Sequence, residues 1–178
     1  MTSNDFSAAP PPATWWVVMG VSGCGKSTLG AALADALRLP LIEGDDFHPP
    51  ANIRKMHEGV ALTDADRAGW LEVLGRALSA EAGGAVLTCS ALKRAYRDRL
   101  RAAVPALRFV FMQITPQESL ARVEARKSNH FFSASLVDSQ FATLEDPTGE
   151  PGVLAVPATE PIDRLVARVT DWHAALAG

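Results

Sequence analysis

The residues of this chain best suited to chemistry stand in one short run: Gly20, Val21, Ser22, Gly23, Cys24, Gly25, Lys26 and Ser27, followed by Thr28. They fit G-x-x-x-x-G-K-[ST], the spacing of a loop that cradles phosphates. The glycines let the backbone wrap so that N–H groups and a helix N-terminus face a β-phosphate, Lys26 reaches the β- and γ-phosphates, and the Ser27 hydroxyl can ligate Mg2+. The flanks agree with this reading. Residues 15–19 form an apolar run of strand length, and Leu29, Ala32, Leu33, Ala36 and Leu37 recur at helical spacing. A connector that merely turned the chain would not require Lys26 and Ser27 in their places. The expectation is a nucleoside-triphosphate site.

Phosphoryl transfer asks a protein mainly for in-line positioning and for positive charge over the moving group. Asp45, at the end of a predicted second strand, is placed to accept the proton of an acceptor hydroxyl or to hold a Mg2+-bound water. The bland reading is a turn or helix-capping residue. The third predicted strand ends in Thr88, Cys89 and Ser90 with no acid, which moves the metal's carboxylate role toward Asp45, with Asp46 the weaker candidate. Arg122 and Arg126 lie four residues apart, on one helix face, with Lys127 and His130 just beyond. Such a row is commonly a solvated face, but it can also place guanidinium groups on the β- and γ-phosphates, Arg126 being the better placed. Lys93 and Arg97, at the start of a basic helix, are expected to face the cleft and hold an anionic acceptor. His48 and His130 sit at the cleft's predicted edges and suit hydrogen bonds to a polyol. No metal-ligand spacing accompanies them.

The elements that must position these groups alternate. Further strands are predicted at residues 39–43, 85–89, 108–114 and 153–156. One helix begins at Thr115, Pro116 and Glu118, which combine an N-cap, a first-turn proline and a capping-box acid, and a closing helix covers 161–176. Alternating strands and helices predict an α/β fold, a parallel five-stranded sheet covered on both faces. Ligands of such sheets bind beyond the strands' carboxyl ends, so residues 20–27, 45–48, 89–93 and those after Val156 should converge on one cleft. Two stretches exceed a simple crossover and are assigned to function: 48–82 to acceptor binding and 116–152 to a lid that excludes water.

At 178 residues and 48% hydrophobic content the chain suits one domain, here 14–178, after a tail at 1–13 whose three prolines and lack of a basic cluster resemble a disordered segment. A net charge of −3 gives no global attraction for nucleic acid or anionic membrane, so a small-molecule partner is expected. The two cysteines, Cys24 and Cys89, match no metal spacing and no disulfide framework. No apolar run has membrane length. A cytoplasmic protein is the expectation.

Gly44, Asp45, Asp46, Phe47, His48 and Pro49, then Asn52, Lys55, Met56, Gly59, residues 62–67 (LTDADR), Trp70 and Leu71, form a long pattern that resembles the gluconate kinase family. The pattern continues at residues 89–93 (CSALK), Tyr96, Arg97 and Asp98, and again at Arg126, Lys127, residues 130–132 (HFF), Gln140, Phe141, Leu144 and Glu145. The resemblance covers nearly everything from Trp15 onward. It implies a P-loop NTPase fold of three αβα layers, like a nucleoside-monophosphate kinase, phosphorylation of D-gluconate at its 6-hydroxyl by ATP with Mg2+, and a homodimer. By position it gives the nucleotide loop to residues 20–27, a gluconate-site role to Asp45, His48, Asp66, Arg67, Lys93 and Arg97, and a lid role to Arg126. The chain departs from the family at Phe47 (leucine in many members), Ala61 and Gly69 (proline) and Asn129 (glycine). Shikimate or a nucleoside monophosphate as acceptor is the nearest alternative. A regulatory GTPase would need an N-K-x-D segment, which this chain lacks. A non-catalytic nucleotide-binding adaptor would show slow ATPase activity unaffected by any sugar acid.

Overall fold

Short apolar runs alternating with amphipathic segments become five parallel strands and, among the described residues, seven α-helices. The computed structural model describes residues 11–126 and 134–178. The strands are β1 (Thr14–Met19), β2 (Leu41–Glu43), β3 (Gly84–Thr88), β4 (Arg108–Gln113) and β5 (Val153–Pro157). They lie in the order β2-β3-β1-β4-β5. Val17 of β1 is level with Leu87 on one side and Phe109 on the other, so β1 is central. The chain visits β2 and β3 on one side of β1 and then crosses to β4 and β5. That reversal leaves a crevice at the carboxyl end of β1, where the phosphate-loop motif begins.

Alternation along β1 divides the core. Trp16 and Val18 pack with Leu29 and Leu33 of α1 (Lys26–Leu37) and Leu165 and Val169 of α7 (Ile162–Ala177). Val17 and Met19 face the opposite layer, with Leu71, Leu74 and Leu78 of α3 (Asp64–Ala80) and Leu100 of α4 (Arg94–Ala103). Both faces are dry because successive strand side chains point to opposite sides and each side has its own helices. Each of these fully buried leucines contributes about 1.5–3 kcal/mol relative to exposure. The expected three-layer α/β architecture is the observed one.

The other helices are α2 (Pro50–His57), α5 (Pro116–Ala125) and α6 (Ala134–Thr143). The predicted start at Thr115 is observed: its hydroxyl accepts from Glu118 N while the Glu118 carboxylate accepts from Thr115 N. Thr63 and Asp66 make the same reciprocal pair at the head of α3. Within 48–82, α3 is a layer helix covering the sheet, and the length beyond a simple crossover is α2 and its flanks. Strand β2 starts two residues later than predicted, since Pro40 has no N–H for the ladder, although its carbonyl accepts from Val86 N at 2.9 Å. Among the described residues no helix is long and apolar enough to cross a membrane.

Candidate active site

The phosphate loop runs from β1 into α1. Gly25 stands at the helix N-cap with φ 95° and no side-chain cap, leaving the first-turn N–H groups for an anion. Gly23 has φ 76°, and a Cβ there would come within 2.9 Å of the Ser119 carbonyl, so both backbone conformation and the close approach of α5 require glycine. Lys26 Nζ donates to the carbonyls of Gly20 (3.1 Å) and Val21 (3.0 Å). Val21, Ser22 and Cys24 are buried beneath the loop, while Ser27 and Thr28 are exposed in the first turn of α1. Arg122, on α5, donates to the carbonyls of Gly23 and Cys24 at 3.3 Å and to that of Ala158 at 3.2 Å. The segment after β5 therefore reaches the loop through this guanidinium, as a brace on the backbone.

Ser27 has a carboxylate partner that the sequence reasoning did not name. Its Oγ donates to Glu43 Oε2 at 3.1 Å, and Thr88 Oγ1 donates to the same oxygen at 2.6 Å. Glu43 ends β2 level with Thr88 of β3, so the two strand ends carry the pair beside α1. A hydroxyl and a carboxylate are hard oxygen donors of the kind that suits Mg2+, which binds through one or two protein groups plus substrate phosphates and water. The acid bonded to Ser27 is thus Glu43 from the strand beside β3, a residue the sequence reasoning did not single out.

Beside the loop is a pocket lined by Lys26, Asp45, His48, Arg67, Trp70, Ser90 and Gln140, with Met56, Ala61, Leu62, Leu136 and Ser139 completing the wall. Three of the expected segments, the loop, 45–48 and 89–93, meet here. His48 is buried, its ring stacked on Trp70 with centroids 4.1 Å apart and planes at 17°. Burial pushes its pKa down, Asp45 pulls the other way at 3.7 Å from Nε2, and Arg67 adds to the fall. His48 is therefore a neutral imidazole near pH 7. Trp70 Nε1 donates to Gly44 O at 2.8 Å, fixing the turn that carries Asp45, whose side chain is 77% exposed toward the pocket mouth. A Cβ on Gly44 would stand 2.2 Å from Thr88 O, so only glycine lets β2 turn there. Arg67 is aimed by its bonds to Leu62 O (2.7 Å) and the Tyr96 hydroxyl (3.2 Å).

Three expected acceptor contacts are committed elsewhere. Arg97 has no exposed surface: its guanidinium donates to the carbonyls of Ala91, Leu92 and Glu145 and to both oxygens of Glu150, so it is a buried brace, not a cleft cation. Burial of Glu150 opposes its ionisation, yet the bonds from Arg97 and Arg101 hold its carboxyl below the ordinary range. Lys93 lies outside the pocket wall, paired with Asp64 at 2.9 Å; that bond raises its pKa, and Asp64 also accepts from the Tyr96 hydroxyl. The Asp66 carboxylate is held by Lys55 at 2.7 Å and by Thr63 N, which bring its pKa down to about 2. In each case the partner that captures the charge comes from another part of the chain, which helical spacing does not report. Arg126 closes α5, exposed, at its C-cap. His130, Lys127 and Asn129 lie outside the described residues.

Besides Glu43, sequence reasoning did not single out Trp70 or Gln140 as pocket residues. Both stand in the family-like pattern, but only the fold brings α3 and α6 to the loop. Among the described residues no group of three or more His, Cys, Asp or Glu side chains could hold a metal by itself.

Comparison with known proteins bears on these features together. A family model described as an AAA domain matches residues 16–147. The gluconokinase of Gluconobacter oxydans is 49% identical over 159 residues, covering 88% of each chain, and the thermoresistant gluconokinase of Escherichia coli is 39% identical over 156 residues, 85% of this chain and 89% of that one. The crystal structure of a gluconokinase from Sinorhizobium meliloti superposes with a TM-score of 0.81 at 43% identity, covering 93% of this chain and 98% of the other. A loop built for nucleotide phosphates, a walled pocket beside its lysine and relatives matched over most of their length lead to one conclusion: this chain is a P-loop kinase that belongs to the gluconokinase family.

Proposed function

We propose that the enzyme transfers the γ-phosphoryl group of ATP to the 6-hydroxyl of D-gluconate, giving 6-phospho-D-gluconate and ADP. The observation that carries this reading is the pocket itself, in whose wall Lys26 of the phosphate loop, Asp45 and Arg67 stand together. A polyhydroxylated acid needs a cation for its carboxylate and donors and acceptors for its hydroxyls. Arg67, held in place by Leu62 O and Tyr96, supplies the cation, and His48, Ser90 and Gln140 supply hydrogen bonds. Asp45 orients the 6-hydroxyl and takes its proton as the oxygen bonds to the γ-phosphorus and the bond to the β,γ-bridging oxygen breaks, with ADP leaving. The loop N–H groups and Lys26 hold the phosphates, and Arg122 and Arg126 add positive charge on the same side. Ser27 and Glu43 would hold Mg2+, which offsets charge on the β- and γ-oxygens when bound. In this reading the protein works as a cytoplasmic homodimer.

The test is ADP release from Mg-ATP with D-gluconate, shikimate, AMP or no acceptor, in the wild type and in Asp45→Asn. Gluconate-dependent turnover with about a 100-fold lower kcat in the variant and ATP binding unchanged is the expected result. No stimulation by gluconate over the acceptor-free rate would reject the substrate, and near-normal turnover in Asp45→Asn would remove Asp45 from the mechanism.

A further inference from the structure

Ser22 lies inside the phosphate loop, and the two peptide groups that flank its Cα are each held by a helix distant in sequence. Its N–H donates to Gln140 Oε1 of α6 at 2.7 Å, and its carbonyl accepts from Ser119 Oγ of α5 at 2.6 Å. All three residues are buried: Ser119 completely, Ser22 to 8% and Gln140 to 9% exposure. Only an amide oxygen can accept from a backbone N–H, so the orientation of Gln140 is fixed by chemistry. With the oxygen committed to the loop, the NH2 end is the donor of a residue that also lines the pocket shared by Lys26, Asp45 and Arg67. Burying an amide in a helix that otherwise presents Leu136 and Val137 to the interior costs free energy unless both ends find partners. One end has the loop, and Gln140 lines the pocket where an acceptor hydroxyl would sit.

We propose that Gln140 ties acceptor to phosphate loop: its amide oxygen holds the Ser22 peptide in the shape that receives ATP, and its amide nitrogen donates to a hydroxyl of the bound sugar acid. It is a positioning residue for the nucleotide and a specificity residue for the acceptor. The acceptor half of this proposal rests on the gluconate reading above, and the loop half does not. Its consequence is that the two substrates share one side chain, so that a wrongly hydroxylated acceptor forfeits a contact made by a group already bonded to the loop.

The experiment uses the full chain and Gln140→Met, which keeps the length and removes both polar ends. Titration with Mg-ATP in the absence of acceptor reads the loop half. Binding weakened about threefold to tenfold supports it, and unchanged binding overturns it. Steady-state kcat/KM with gluconate and with its 2-, 3-, 4- and 5-deoxy analogues reads the acceptor half. The wild type should lose about tenfold or more on one of these analogues, and Gln140→Met should lose nothing further on that same analogue, because donor and hydroxyl then belong to one interaction. Strictly multiplicative losses on all four analogues would overturn the acceptor half. A wild type inactive toward gluconate would instead count against the gluconate reading and remove the acceptor half with it, while the ATP titration still decides the loop half. A melting temperature within about 3 °C of the wild type shows that the near-isosteric variant keeps its packing, so that weakened Mg-ATP binding is read as the lost loop hydrogen bond, and a larger fall would assign the ATP effect to lost packing and overturn the loop half.

Discussion

Two loops leave adjacent strands at the same edge of the sheet and differ in whether glycines share in shaping them. The phosphate loop, after β1, takes its turn from within, through positive φ at Gly20, Gly23 and Gly25 and a lysine whose head group bonds the carbonyls five and six residues earlier, and distant helices add holds at Ser22, Gly23 and Cys24. The loop at 89–93, after β3, has no glycine. Ala91 takes φ 45°, and the shape is imposed by Arg97 on the carbonyls of Ala91 and Leu92, by Glu145 N on Leu92 O, and by the Glu145 carboxylate on Arg94 N. Arg97 is itself fixed by Glu150, 53 residues away. A loop that must present N–H groups to a ligand can give few of them to distant partners, and here Ser22 gives its own to Gln140, whereas a loop that only presents Ser90 to a pocket can be clamped throughout from outside.

The first way to test the contrast is to remove the lysine. Lys26→Ala should lower kcat about 100-fold to 1,000-fold, as the loss of one charge aimed at a transition-state oxyanion does, while the melting temperature stays near the wild type. A large loss of stability instead would show that Lys26 is a brace like Arg97.

The opposite signature is expected on the other loop. Arg97→Met leaves Glu150 buried with only Arg101, and breaking one partner of a buried pair costs about 3–5 kcal/mol, a fall in melting temperature of roughly 10 °C for a domain of this size. The double variant Arg97→Met with Glu150→Leu should be less destabilised than either single change predicts in sum, because no unpaired charge remains. Additive losses measured by thermal unfolding would mean that the two residues act separately.

Lys93 gives a smaller and sharper discrimination. As a half-buried partner of the exposed Asp64 it should matter little: Lys93→Met is expected to change stability by less than about 1 kcal/mol and the KM for gluconate by less than threefold. A rise of about 30-fold in that KM with kcat retained would return Lys93 to the acceptor site.

How much of this could be read from the sequence follows the same division. The phosphate loop, the strand order of events along the chain and the capping box at Thr115 depend on residues within a few positions of one another, and each was legible. The cleft was legible too, because a parallel sheet of alternating strands and helices fixes where its ligands bind. What was not legible depends on pairing across the fold. Glu43 comes to Ser27 only because β2 lies beside β3 in a register that levels Glu43 with Thr88. Arg97 looked like a cleft cation because it stands one turn into a helix after β3, and only the arrival of Glu150 turns it into a buried brace. Helical position says which way a side chain starts, not which opposite charge it meets.

The smallest expected effect concerns Asp66, another residue that the family pattern places near the acceptor and the structure makes a brace. Its carboxyl accepts from Lys55 and caps Thr63, and its pKa is held at about 2 against an ordinary value of 3.8. A depressed folded pKa means that the unfolded chain takes up the proton first as pH falls, so the stabilisation is complete above about pH 4 and is lost progressively toward pH 2. Lys55→Met removes the largest cause of the shift, so the variant should lose a small part of its stability at neutral pH and little at pH 2, and its stability should depend less on pH between 4 and 2 than that of the wild type. Urea unfolding at a series of pH values reads the difference directly. Parallel curves in that window would show that Asp66 is held by Thr63 alone, and would free Lys55, which stands on α2 near the pocket wall, for a role toward the acceptor.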